Sequence, residues 1–189
     1  MQAARGASLT SDQTDPETAP QRPRQAPRWL CLSVVGSLGA LGLLADQLTK
    51  HLAVQHLHDR SVALAGGLLH LTLARNPGAA FSTGTSFTPL ISVVAMVAAV
   101  VVVVLAFRTR NRVWAIALGV LLAGVLGNLA DRIFRAPGPL QGHVVDFLQL
   151  PHWPVFNVAD ICINVAAALI LVQVVRGVRL DGSRHHGDR

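Results

Sequence analysis

Apolar residues fall into four long blocks, residues 29–48, 88–107, 113–134 and 155–175, separated by short polar stretches. Each block approaches the roughly 20 residues that a helix needs to cross a bilayer. Arg22, Arg24 and Arg28 precede the first block. Arg108, Arg110 and Arg112 lie between the second and third, and Arg176, Arg179 and Arg184 follow the fourth. Basic flanks mark the cytoplasmic side. All three groups place the same side inside, with both termini cytoplasmic. Between the first two blocks, residues 51–86 are mixed in character. Leu69, Leu71 and Leu73 alternate there with His70 and Thr72, the period of a half-buried strand. Arg75-Asn76-Pro77-Gly78 then reads as a turn. Residues 135–142 form a Pro/Gly loop, and residues 143–150 form a short extended run. The pattern predicts an all-α integral membrane protein: four transmembrane helices with a small strand-containing extracytoplasmic cap.

Composition sharpens this picture. Hydrophobic residues make up 51% of the chain and charged residues 14%. The net charge of +6 is gathered in the tails and one connection, so it forms no basic stripe for nucleic acid. Residues 1–28 are polar and rich in Pro and Gln, with too little apolar surface to build a core. They do not resemble a secretory signal, so the first block is expected to be retained in a membrane domain spanning 29–176. Residues 177–189 form a second cytoplasmic tail, where His185-His186 reads as solvated. Cys31 and Cys162 lie in apolar blocks and read as packing residues. The chain has no CxxC and no HExxH, so no metal and no cofactor is expected.

The chemistry lies in polar residues at the ends of these blocks. Ionisable groups there are costly, which makes them candidates for function. Asp46 and Lys50 are spaced to pair along a helix; a solvated salt bridge at a helix end is the plainer reading. Asn76 fits a turn former equally well. Asn128, Asp131 and Arg132 share one helical face, as do Asn157, Asp160 and Asn164. The helix count brings these residues and Asp146 to the outer side. Two neighbouring carboxylates share a proton, so that one is an acid and the other a base. Asp146 and Asp160 are the candidate pair, and Asp131, beside Arg132, is the structural carboxylate. Other readings stay open. The aspartates would only bind helices together in an assembly protein, relay protons in a carrier, or hold a metal with His143.

Five stretches bear on that choice. They are Asp46-Gln47-Leu48-Thr49-Lys50, Asn76-Pro77-Gly78-Ala79-Ala80-Phe81, Gly127-Asn128-Leu129-Ala130-Asp131-Arg132, Val144-Val145-Asp146-Phe147 and Phe156-Asn157-Val158-Ala159-Asp160. In type and order they resemble the lipoprotein signal peptidase (signal peptidase II) family. The resemblance implies an aspartic membrane endopeptidase of the bacterial plasma membrane, working on its outer face. Such an enzyme removes signal peptides from diacylglyceryl-modified prolipoproteins, before the lipidated cysteine. It implies Asp146 and Asp160 as the catalytic pair and Asn76, Asn128, Arg132 and Asn157 near substrate. Asp46, Lys50 and Asp131 become supporting residues. Membrane lipid and globomycin-type inhibitors are implied as partners. Residues 133–142 are longer than the family's pattern, which leaves the geometry of that loop open.

Overall fold

The computed structural model describes residues 25–58, 60–78 and 88–184. Helix α1 spans Arg28–His56, α2 Thr88–Arg108, α3 Arg112–Phe134 and α4 Val158–Val175, and all four are long and apolar enough to cross a membrane. Three short strands complete the fold: β1 at Val62–Leu64, β2 at Leu69–Asn76 and β3 at Val144–Gln149. Three of the helices coincide with apolar blocks of the sequence to within a few residues. The exception is α1, which continues to His56 instead of ending near residue 48. The reason is local: Ala53 and Leu57 remain buried against Phe147, so the apolar face extends past the membrane block.

Helix α3 is the centre of the bundle and packs on each of the other three. Small residues make this possible, because they let helix backbones approach closely. A methyl group at Gly119 would stand 3.0 Å from the Val35 backbone of α1, and one at Gly124 would stand 2.5 Å from the Ala159 carbonyl of α4. By contrast, α2 is apolar around its whole circumference. Val94, Val97, Val100 and Val104 stay exposed, as a lipid-facing helix requires.

The cap is a three-stranded antiparallel sheet in the order β1-β2-β3. The strand predicted from the alternation at residues 69–73 is its middle member, and it runs on through Arg75 and Asn76, which were expected in a turn. Its third strand does not come from residues 51–86, where the cap was expected, but from the connection between α3 and α4. Asn76 pairs with Val144 and Ala74 with Asp146 across that junction. Residues 79–81, expected to turn back toward the membrane, lie outside the described residues.

The opposite end is closed by a backbone clasp. Ala26 N donates to Arg110 O (2.9 Å), and Arg110 N donates to Leu180 O (2.9 Å). Trp114 Nε1 donates to Val178 O at 2.9 Å. Asn111 caps α3 by accepting from Val113 N and Trp114 N. Both segments expected as tails therefore contribute ordered residues where they meet the α2–α3 connection.

Candidate active site

Five elements, α1, β2, α3, β3 and α4, meet at the cap end of the bundle, and each brings a polar side chain. From α1 come Asp46 and Lys50, both with no exposed surface. Lys50 Nζ lies 2.8 Å from Asp46 Oδ2 and 2.8 Å from Asp131 Oδ2 of α3. The solvated reading of Asp46 and Lys50 is thus overturned: one ammonium is buried between two carboxylates. Asp46 also accepts from Ala159 N at 2.9 Å, which fixes the start of α4 against α1. Gly127 gives it room, since a methyl there would stand 2.6 Å from Asp46 Oδ2.

Asp131 is buried among cations and backbone, but its neighbour Arg132 is not among its hydrogen-bond partners. Asp131 accepts from Arg135 Nε (2.5 Å) and from Val145 N (3.1 Å) besides Lys50. A helix places residues four apart on one face and adjacent residues apart. Adjacency in sequence gave the wrong cation, whereas the spacing of Asp131 and Arg135 carried the right signal. Gln47 was also missed as a site residue; its Nε2 reaches Asp46 Oδ2 (3.1 Å) and Gly127 O (3.0 Å).

Amides carry the network outward from this cluster. Asn128 Oδ1 accepts from Lys50 Nζ at 3.1 Å, and Asn128 Nδ2 donates to Asp160 Oδ1 at 2.9 Å. Asn157 Nδ2 donates to Asn128 Oδ1 (3.1 Å) and to Asp146 Oδ1 (2.6 Å). Asn76 Nδ2 donates to Asp146 Oδ2 at 3.1 Å. Asn76 is a turn former as well, because its Oδ1 accepts from Gly78 N. Asn157 and Asp160 form a reciprocal capping box at the start of α4. Helix initiation and the position of Asp160 are therefore one event.

Asp146 and Asp160 are brought together on either side of Asn157. Asp146, on β3, is 3% exposed. Burial pushes its carboxyl up to about 6; the donated hydrogen bonds of Asn76 and Asn157 oppose that rise, and the nearby Asp160 charge adds to it. Both aspartates line a cleft of about 440 Å³, together with Asn76, Trp153, Ile161 and Val165. Trp153 carried no functional signal in the sequence. It reaches the rim because Leu148 and Phe156 exchange backbone hydrogen bonds (2.8 Å each) and fold the loop between them.

Arg132 remains at the edge of the network. Its Nη1 is buried without a hydrogen-bond partner among the described residues. A methyl at Gly78 would lie 3.3 Å from that atom, at a φ of +118° that itself favours glycine. Asn164 lies on the exposed side of α4 and donates to Asp160 O. The loop at 133–142 folds back on the end of α3, with Gly142 N donating to Arg132 O and His143 N to Ala136 O, both at 3.0 Å. Ser92 Oγ of α2 holds it through Leu140 O. His143 does not complete a metal cluster: no three His, Cys, Asp or Glu side chains converge among the described residues.

The family profile described as signal peptidase (SPase) II matches residues 38–176, which includes every one of these side chains. The chain belongs to the signal peptidase II family. Its relatives include the lipoprotein signal peptidase of Rhodococcus jostii (strain RHA1), 46% identical over 88% of this chain and 83% of that one. That of Mycobacterium avium (strain 104) is 44% identical over 91% and 94%. A solved bacterial membrane enzyme with 22% identity shares the fold, with a TM-score of 0.67 over 81% of this chain and 97% of that chain. This is therefore a multi-pass membrane peptidase of the aspartic, signal peptidase II type.

The ion cluster beneath the cleft yields a stability prediction. Lys50→Met leaves Asp46 and Asp131 buried without their shared cation. Breaking a buried pair in this way costs about 3–5 kcal/mol. Detergent-purified Lys50→Met should unfold well below the wild type in a thermal or denaturant assay. Adding Asp46→Asn should recover part of the loss. An unchanged midpoint would show that Lys50 is not what neutralises the cluster.

Proposed function

We propose that this peptidase removes signal peptides from diacylglyceryl-modified prolipoproteins, using Asp146 and Asp160 as a water-activating pair. The observation that carries the reading is the bracketing of Asn157 by two carboxylates, from β3 and α4, at the head of one cleft. The pair shares one proton, held on the more deeply buried Asp146. Asp160 stands in the first turn of α4, where the helix end favours negative charge. It takes a proton from water as the water oxygen bonds to the scissile carbonyl carbon. Asp146 gives its proton to the carbonyl oxygen. As the tetrahedral species collapses, the C–N bond breaks and the leaving nitrogen takes the proton from Asp160. The hydroxyl proton returns to Asp146. The products are a signal peptide ending in a carboxyl group and a lipidated cysteine with a free amine.

Depth supports this choice of substrate. The 18 residues of α4 rise about 27 Å, close to the roughly 30 Å hydrocarbon thickness. The pair then lies at the membrane surface, where a cysteine anchored by acyl chains presents its preceding bond. Below the aspartates the cleft wall becomes apolar through Ile161 and Val165, which suits an acyl chain. Asn76, Asn128, Asn157 and Arg132 orient the substrate backbone or the carboxylates themselves. Asp46, Lys50 and Asp131 support them from below. Globomycin-type inhibitors would occupy the same cleft. The arginine groups favour the plasma membrane orientation with both termini cytoplasmic and the site outside. No feature favours a carrier, whose sites lie near the midplane between repeats.

Three outcomes are expected. Asp146→Asn and Asp160→Asn should each abolish cleavage of a diacylglyceryl-modified prolipoprotein peptide while the purified variants stay folded. Near-wild-type turnover by either would remove the pair from the mechanism. The second outcome is a pH profile. Asp146 holds its proton below about 6 and loses it above, so kcat/KM should fall on the alkaline side with an apparent pKa of about 6. A profile flat from about pH 5 to 9 would contradict a shared proton. The third concerns orientation. With Cys31 and Cys162 replaced by serine, Gln141→Cys should react with an impermeant thiol reagent added outside. Arg184→Cys should react only after the membrane is opened. The opposite labelling would reverse the topology.

A further inference from the structure

A second cavity lies at the outer end of α1, away from the aspartate pair. The 29 residues of α1 rise about 43 Å, more than the roughly 30 Å hydrocarbon core. Its last turns therefore stand at headgroup depth. There Leu52, Ala53 and Leu57 face Leu71 of β2 and Phe147 of β3 across a slot of about 380 Å³. The walls are almost wholly hydrocarbon. Successive side chains on a strand point to opposite faces, so Phe147 in the slot and Asp146 in the cleft are on different sides of β3. Leu52, at the slot's edge, is 45% exposed.

The upper rim of this slot has the opposite character. His56 lines both the slot and an adjoining polar cavity of about 250 Å³, shared with Gln55, His58 and Arg60. Arg60 Nε donates to His56 O at 2.6 Å, which holds the guanidinium over the end of the helix. His56 Nδ1 lies 3.0 Å from Leu52 O. A carbonyl only accepts, so Nδ1 carries a proton, and Nε2 donates to a phosphate only from the doubly protonated ring. Asp59, between His58 and Arg60 in sequence, lies outside the described residues.

An apolar slot that opens onto a guanidinium and an imidazole, at the depth of the headgroups, complements an anionic amphiphile. Arginine is also the side chain best matched to phosphate geometry. We infer that this site binds an anionic phospholipid, with one acyl chain between α1 and the sheet and its phosphate on Arg60 and His56. The bound lipid braces the sheet from the side opposite the aspartates.

The test is titration of the full chain in a neutral detergent with phosphatidylglycerol or with diacylglycerol of identical short chains, which lacks the phosphate, read by thermal unfolding. Phosphatidylglycerol should raise the midpoint at about tenfold lower concentration, since a charge-assisted hydrogen bond contributes about that much. The double variant Arg60→Gln, His56→Gln should bind both lipids alike while keeping its peptidase turnover. Leu52→Gln, at the slot's edge, should weaken both. Glycerol phosphate, which has the headgroup but no chain, should give no shift. Equal response to the two lipids would overturn the inference. So would a preference that survives the double variant, or a glycerol phosphate shift as large as that of the lipid.

Discussion

One buried ammonium holds this structure together. Lys50 has no access to water and lies 2.8 Å from each of two carboxylates on different helices. An ion in an apolar bundle is tolerated only when its charge and its hydrogen bonds are met. Here Arg135 supplies a second cation to Asp131, so two positive groups face two negative ones. Besides Gln47, backbone fills the remaining acceptor capacity: Asp46 takes Ala159 N of α4, and Asp131 takes Val145 N of β3. The cluster therefore fixes where α1, α3, α4 and β3 stand relative to one another. A shift of α1 against α3 would unpair a charge, and a shift of α4 or β3 would cost a carboxylate its backbone donor.

The aspartate pair is separated from that cluster by amides, and the chemistry explains why. An amide both donates and accepts, so it can join two anions without adding charge. Asn128 accepts from Lys50 and Asn157 and donates to Asp160, while Asn157 donates to Asp146. Geometry is passed from the ion cluster to the cleft, and among the described residues no cation is directly hydrogen-bonded to its two carboxyls. A cation in direct contact with Asp146 would favour its ionised form. Burial with only amide donors instead leaves it able to carry a proton near neutral pH.

Close packing at the centre and loose packing at the periphery divide the bundle by task. The α3 glycines bring α1 and α4 near enough for their polar ends to meet. Helix α2 contributes little to that meeting and presents valines to lipid. It touches the site end through Thr88 Oγ1, which donates to Pro77 O, and through Ser92 on the 133–142 loop. The turn carrying Asn76 and the loop above α3 are both steadied from this side.

Much was legible in the sequence by itself. The four spans follow from block length, because a bilayer sets the length of any helix that crosses it. The first residues of the strand, 69–73, follow from their period of two, but its end at Asn76 does not. The carboxylates, asparagines and arginine were visible as polar residues in expensive positions. Tertiary structure decided the rest. The burial of Asp46 and Lys50 depends on α3 arriving beside them, and no local pattern on α1 reports that. Asp131 chose Lys50 and Arg135 over its neighbour Arg132, since helix geometry turns adjacent residues apart. The cap took β3 from residues 144–149, a pairing across some seventy residues. Periodicity records the face a strand presents but not its partner. Trp153 reached the cleft through a loop closure that its own residues do not announce. Sequence determines which groups are costly to bury; only the assembled bundle decides which of them meet.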